Sequence, residues 1–298
     1  MLAVPVRPLP RLVARPVPAL PVAALVVGRP VGEVEALLPR LFNLCSGAQK
    51  AAFSAALGGH ASVAESRADV LRDHLLKFHA TWPSLLGIAP QTLPTKWKQG
   101  GLSLLSWLFG PSAAPPATPD AFAAFLCHRD NPLAQVLAMI ADRFAPGEAV
   151  SGLLPEVTPE TIWAQGALEN SVAARHAGHP VMRSIEARHG RGPLWRASAR
   201  LYDIEAVSKG RLPAVTRGAG WAMVPATRGT YAMRLSVSGE GRVTAFERVT
   251  PTDALLAPGG ILDDSLATLP PQKSVLAPLL LDILDPCAPV QLEETEDA

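Results

Sequence analysis

Residues 284–287 read Leu284-Asp285-Pro286-Cys287, close to the end of a 298-residue chain with only three cysteines. A second cysteine lies near the front, in Arg40-Leu41-Phe42-Asn43-Leu44-Cys45-Ser46-Gly47-Ala48-Gln49. Three thiols, odd in number and far apart, make no secreted disulfide framework. In a reducing cytoplasm such thiols can serve as soft metal ligands. A net charge of +1 gives nucleic acid no basic surface to hold. The segment 1–21 carries Arg7, Arg11 and Arg15 among prolines and lacks the apolar stretch of a signal peptide. No run approaches the ~20 apolar residues that span a bilayer, so the expectation is a cytoplasmic protein without membrane insertion.

Outward from these corners, the pattern predicts a mainly helical α+β chain, read as one domain over 1–298. Leu20 to Val27 reads as a strand, Gly28-Arg29-Pro30 as a turn, and Glu33 to Leu38 as a short helix before Pro39. From Ser46, five alanines line one helical face until Gly58-Gly59. Ser62 and Glu65 predict a capping box for the next helix, with Trp82-Pro83 as its end. The Pro/Ala-rich stretch 111–119 reads as a linker. Thr118-Pro119, Asn131-Pro132 and Thr158-Pro159 each pair a cap residue with a first-turn proline. Gly192-Pro193 opens a further helix. Alternating residues over 231–237 and 243–249 around Gly239-Glu240-Gly241 make a β-hairpin, within a region 222–252. The expected sheet joins that hairpin to the N-terminal strand.

The two corners resemble the metal-binding motifs of [NiFe]-hydrogenase large subunits, written R-x-C-G-x-C and D-P-C-x-x-C. Each keeps one cysteine: Phe42 stands at the first position of the front motif and Val290 at the last position of the rear one. Gln49 and Glu293 take the places of the usual histidines. Between the corners, Pro225-Ala226-Thr227-Arg228-Gly229 resembles E-A-P-R-G, and Thr250-Pro251-Thr252 resembles V-P-T/S. Gly28-Arg29-Pro30, Leu71-Arg72-Asp73-His74 through His79, and Arg196-Ala197-Ser198-Ala199-Arg200 extend the likeness loosely along the chain.

This resemblance implies a degenerate large-subunit-like fold with a small antiparallel sheet and a C-terminal Asp-Pro-Cys segment over 274–298. Within the family, four thiolates hold nickel; two are too few, and Phe42 and Val290 offer no donor. No nickel and no hydrogenase catalysis are expected. The elements that address the diatomic ligands of iron are the ones retained. The combination is similar to the hydrogenase expression/formation proteins of the HupK/HoxV type, shortened relatives regarded as scaffolds for an Fe(CN)2(CO) unit. The resemblance then implies Cys45 and Cys287 as iron ligands, with Arg228, Pro251 and Thr252 around the cyanide and CO ligands. Arg40 is expected to anchor the first corner through an ion pair, and Asp285 with Pro286 to fix the turn that presents Cys287. The partners implied are maturation proteins that deliver the iron unit and the immature hydrogenase large subunit.

Other readings stay open on the residues alone. A metal-free structural subunit of a redox complex would keep the fold without needing the cysteines. A thiol enzyme would need a base beside Cys45 or Cys287. His176 and His179 have ligand-like spacing but read as caps at a helix C-terminus. His74 and His79 read as packing residues, and Cys127 as buried.

Overall fold

A computed structural model describes residues 11–17, 20–41, 45–164 and 166–295; Phe42 and the Glu65 side chain lie outside what it describes. Strand β1 (Arg11–Pro16) precedes helix α1 (Val22–Val26). The strand expected over 20–27 is therefore a helix. Val22 and Val26, four apart, are buried on one face, while Leu20 and Val27 are 46% and 45% exposed. A short apolar run fits both periods, and packing decides between them. Helix α2 (Val31–Leu41) runs through Pro39 rather than stopping there. The carbonyl deprived of its partner belongs to Glu35, an exposed residue.

Helix α3 (Ser46–Ala56) follows the sequence: Ala48, Ala51, Ala52, Ala55 and Ala56 are all buried, and Gly58 turns the chain at φ +81°. Helix α4 (Ala64–Leu76) starts later than predicted, with Val63 as its N-cap and no side-chain cap. Ser62 only accepts a 3.4 Å contact from the Ala64 N–H. Trp82-Pro83 does not end the helical run either. The chain widens into a π-turn over Lys77–Thr81 and continues as α5 (Trp82–Leu86), with Pro83 in a first turn that needs no N–H there.

That π-turn drives His79 into the core, 1% exposed, with neither ring nitrogen bonded to protein. Burial pushes its pKa down to about 4. The folded state keeps His79 neutral while the unfolded chain takes up a proton near 6.5, so its stabilising effect is present above 6.5 and lost as pH falls towards 4. The shift corresponds to about 3 kcal/mol. His79→Phe is expected to flatten the pH dependence of the urea midpoint between pH 6.5 and 4.

Helices α6 (Gly101–Phe109), α7 (Pro119–Cys127) and α8 (Pro132–Arg143) complete one side of the body. Thr118 and Asn131 cap the last two as the sequence predicts. Thr158 instead closes a local turn on the N–H groups of Glu160 and Thr161, and no α-helix follows. Cys127, in the last turn of α7, is exposed rather than buried. The 111–119 stretch is tied down, because the Tyr202 hydroxyl donates to the Pro116 carbonyl at 3.0 Å. Helix α9 (Pro180–His189) leads into α10 (Pro193–Ser208), which is buried on nearly every side and carries the helical core around it.

Strands β2 (Thr216–Gly218), β3 (Trp221–Ala226), β4 (Gly229–Val237) and β5 (Val243–Val249) form an antiparallel sheet in that order. Residues of α1, α2 and α3 pack with this sheet in a second core of small and branched side chains. Helices α11 (Pro251–Leu255), α12 (Ile261–Ala267) and α13 (Ala277–Leu284) then return the chain to the centre. The last strand, β6 (Val290–Thr295), pairs antiparallel with β1 from Pro16↔Val290 to Arg11↔Thr295. The N-terminal strand thus joins the C-terminus, not the hairpin sheet. No helix among the described residues is long and apolar enough to cross a membrane.

Candidate metal centre

The two corner motifs meet. Cys45 is the N-cap residue of α3, and Cys287 follows the end of α13. They are close enough for Cys287 to raise the pKa of Cys45, and both are free thiols of intermediate exposure. Burial pushes the Cys45 thiol up to about 11, against the pull of the Arg228 guanidinium and a hydrogen bond with Thr227.

Thr252 is fixed by its own helix. Thr250 and Asp253 cap α11 reciprocally: the Thr250 side chain accepts the Asp253 N–H at 3.3 Å, and the Asp253 carboxylate accepts the Thr250 N–H at 2.7 Å. Pro251 fills the first helical position. The Thr252 hydroxyl then accepts the Cys287 N–H at 2.8 Å and donates to the Cys287 sulfur at 2.8 Å. Asp285 sets the turn before it. Its backbone is left-handed, at φ +60° and ψ +56°, a conformation that Asp tolerates better than most residues. Three cations hold its carboxylate: Lys77 Nζ at 3.0 Å, Arg200 Nη2 at 2.9 Å and Arg228 Nε at 2.7 Å. Pro286, half-buried, follows directly.

Arg228 stands in the turn between β3 and β4, its side chain 8% exposed. Its Nε faces Asp285, and its Nη2 lies 3.6 Å from Asp73. Nε, although close to Asp285, and Nη1 are both buried without a hydrogen-bond partner. Arg228, Pro251 and Thr252 line a cavity of about 30 Å3 together with Arg196, Arg200 and Asp285. That is room for a water or two, or one diatomic group. Neither cysteine lines it; Thr252, which does, bonds to the Cys287 sulfur, and the charge of Arg228, which also lines it, acts on Cys45.

Around this centre lies a web of charge that sequence reasoning left without roles. Arg196, Arg200 and Asp203, spaced i, i+4, i+7, share one face of α10. Arg200 Nη1 lies 2.9 Å from Asp73 and 2.8 Å from His74 Nδ1. A guanidinium only donates, so Nδ1 is an acceptor, and the hydrogen of His74 sits on Nε2, 2.8 Å from Asp203. Burial alone would raise the Asp73 carboxyl, but Arg200 and Arg228 hold it well below the usual carboxylate range. His74 is therefore a wired residue rather than simple packing. His176 bonds to Asp203 at 2.9 Å, and His179 caps the N-terminus of α9 rather than a helix C-terminus. The signal in the sequence was the spacing of charges inside an otherwise apolar helix.

The Arg40 expectation fails. Arg40 is exposed at the end of α2 and makes no ion pair with any described residue. The first corner is tied instead by the Gly47 N–H, which donates to Asp69 of α4 at 3.1 Å. Val290 begins β6 and Glu293 pairs with Arg15 on the ribbon, so neither faces the thiols as a ligand. Among the described residues, no group of three or more His, Cys, Asp or Glu side chains is arranged to hold a metal.

A search of curated proteins finds the "Hydrogenase expression/formation protein HupK" of Rhodobacter capsulatus, 49% identical over 279 residues, covering 94% of this chain and 92% of the relative. Among solved structures, the Ni-Fe-Se hydrogenase of D. vulgaris Hildenborough in its as-isolated oxidized state matches with a TM-score of 0.57 at 15% identity, covering 90% of this chain and 91% of that one. An NAD+-reducing [NiFe]-hydrogenase matches with a TM-score of 0.53 at 15% identity, covering 91% and 90%. These likenesses show the hydrogenase large-subunit fold. No protein-family model matches the chain.

Proposed function

Because the chain belongs to the family of HupK hydrogenase expression/formation proteins, we propose that it is a non-catalytic scaffold that transiently holds an Fe(CN)2(CO) unit during hydrogenase maturation. The observation that carries this reading is the placing of Cys45 and Cys287 beside Arg228, whose Nε and Nη1 are both buried without a hydrogen-bond partner. The donor set suits such a cargo. Two soft thiolates bind iron, and a guanidinium N–H is a strong donor to a cyanide nitrogen in a site with little water. Thr252 supplies the second donor; its hydroxyl, which donates to the Cys287 sulfur, can turn to the cargo.

The thiols set the terms of exchange. Cys45 is held protonated, with its pKa raised to about 11, so taking up iron releases its proton and giving iron back restores it. Two protein ligands make a weaker hold than four, which suits a carrier. Nickel lacks the two further thiolates, and conversion of hydrogen is not part of this reading. In the cytoplasm, the partners are maturation proteins that deliver the iron unit and the immature large subunit that receives it.

The test is a transfer assay. Protein labelled with an iron isotope and purified without oxygen from cells making the maturation machinery is mixed with immature large subunit made without that isotope. Iron of the scaffold's isotope recovered on the large subunit supports the reading. Iron that stays behind, or protein that carries none despite active machinery, counts against it and favours a metal-free structural role.

A further inference from the structure

Arg228 is gripped from two directions, and both grips start at one buried carboxylate. Asp203 on α10 is fully buried. One of its oxygens accepts from His74 Nε2 at 2.8 Å and from Arg175 Nη1 at 2.9 Å, and the other accepts from His176 Nε2 at 2.9 Å. Burial would raise its pKa, but Arg175 and the two histidines hold it ionised, well below the usual carboxylate range.

The first arm runs through side chains. His74 passes the contact to Arg200, Arg200 to Asp285, and Asp285 to Nε of Arg228. The second arm runs through the backbone. Nη2 of Arg175 donates to the carbonyls of Ala226 and Gly229, the residues on either side of the turn that carries Thr227 and Arg228. The two arms close a ring from Asp203 to Arg228 and back.

We propose that Asp203 is the positioning residue of this site: by fixing His74 and Arg175 together, it aims the free Nη1 of Arg228 at the iron unit's ligand. It touches neither the thiols nor the cavity, so it acts only through others. A negative charge is required there. Arg175 lies 2.9 Å away with an 8% exposed side chain, and among the described residues it pairs with no other acid. An uncharged residue of the same shape would leave the Arg175 guanidinium buried without a counter-charge, and it would then pull away from the turn.

This inference rests on the proposed scaffold function only for the identity of the ligand; the positioning itself is read from the protein's own contacts. The test uses Asp203→Asn in the full chain, with Asp203→Glu and His74→Gln beside it. The readout is hydrogen exchange across the buried Arg228 guanidinium, followed by 15N NMR in protein prepared without iron. Asp203→Asn is expected to speed exchange at least tenfold, with circular dichroism and the global unfolding transition retained. His74→Gln, which keeps an acceptor and a donor on one side chain, is expected to recover most of the protection. Exchange unchanged in Asp203→Asn would overturn the proposal. So would acceleration equally large at Arg196, on the same helix face but outside the ring, because that reports general loosening. In iron-loaded protein, the cyanide stretching bands are expected to shift in Asp203→Asn while the iron content holds. If parent protein carries no iron, the scaffold reading fails, and the exchange data still decide the role of Asp203.

Discussion

Arg200→Ala is expected to cost about 3–5 kcal/mol of folding stability, read as a drop in the denaturant midpoint without a change in slope. Arg200 is fully buried and stands between Asp73, Asp285 and His74. Its removal leaves two carboxylates in the interior with fewer cations to balance them. A domain has about 5–15 kcal/mol in all, so the loss is a large share. Arg200→Lys should recover only part of it. One ammonium cannot span three acceptors arranged for a planar fork. The loss should also depend on pH in a defined way. Asp73 is held ionised by Arg200, so that stabilisation is present above the unfolded carboxyl pKa near 3.9 and fades as pH falls below it. The gap between parent and variant therefore narrows in acid.

Cys45→Ala and Cys287→Ala are each expected to abolish iron retention in anaerobically purified protein, whereas Cys127→Ala leaves it intact. Iron per chain by elemental analysis reads the result. All three thiols are free, so the contrast isolates position from chemistry. Cys127 sits exposed at the end of α7, its sulfur turned to the Ala123 carbonyl. The other two lie beside Arg228 and Thr252. Stability should move little in either corner variant, since each removes one small, partly exposed group. Equal iron loss in all three variants would point to adventitious thiol binding and against a built site.

Much of the centre was legible because the motifs are local. Asp285-Pro286-Cys287, Pro251-Thr252 and Arg228 each sit in a turn or first helical turn whose residues define it; α7 and α8 follow their cap and proline signals, and α10 its Gly-Pro start. What escaped has physical causes. The run Leu20–Val27 is too short for its period to separate helix from strand, and burial against the sheet made it a helix. The pairing of β1 with β6 joins opposite ends of the chain, and nothing in either segment announces the other. Arg40 beside a cysteine motif suggested an ion pair, but the end of α2 faces solvent. The ring through Asp203 draws on α4, α10, the end of α13, the turn before α9 and the β3–β4 turn. It exists only once those elements pack, so a sequence shows its members without showing the circuit.

Infrared spectroscopy of protein purified without oxygen, from cells that make the hydrogenase maturation machinery, tests the central claim most directly. Metal-bound CO and cyanide absorb where protein is nearly silent. The scaffold account expects one CO band and two cyanide bands in parent protein, lost in Cys45→Ala and Cys287→Ala and shifted in Arg228→Lys. A silent spectrum with iron absent, despite active hydrogenase in the same cells, would contradict it.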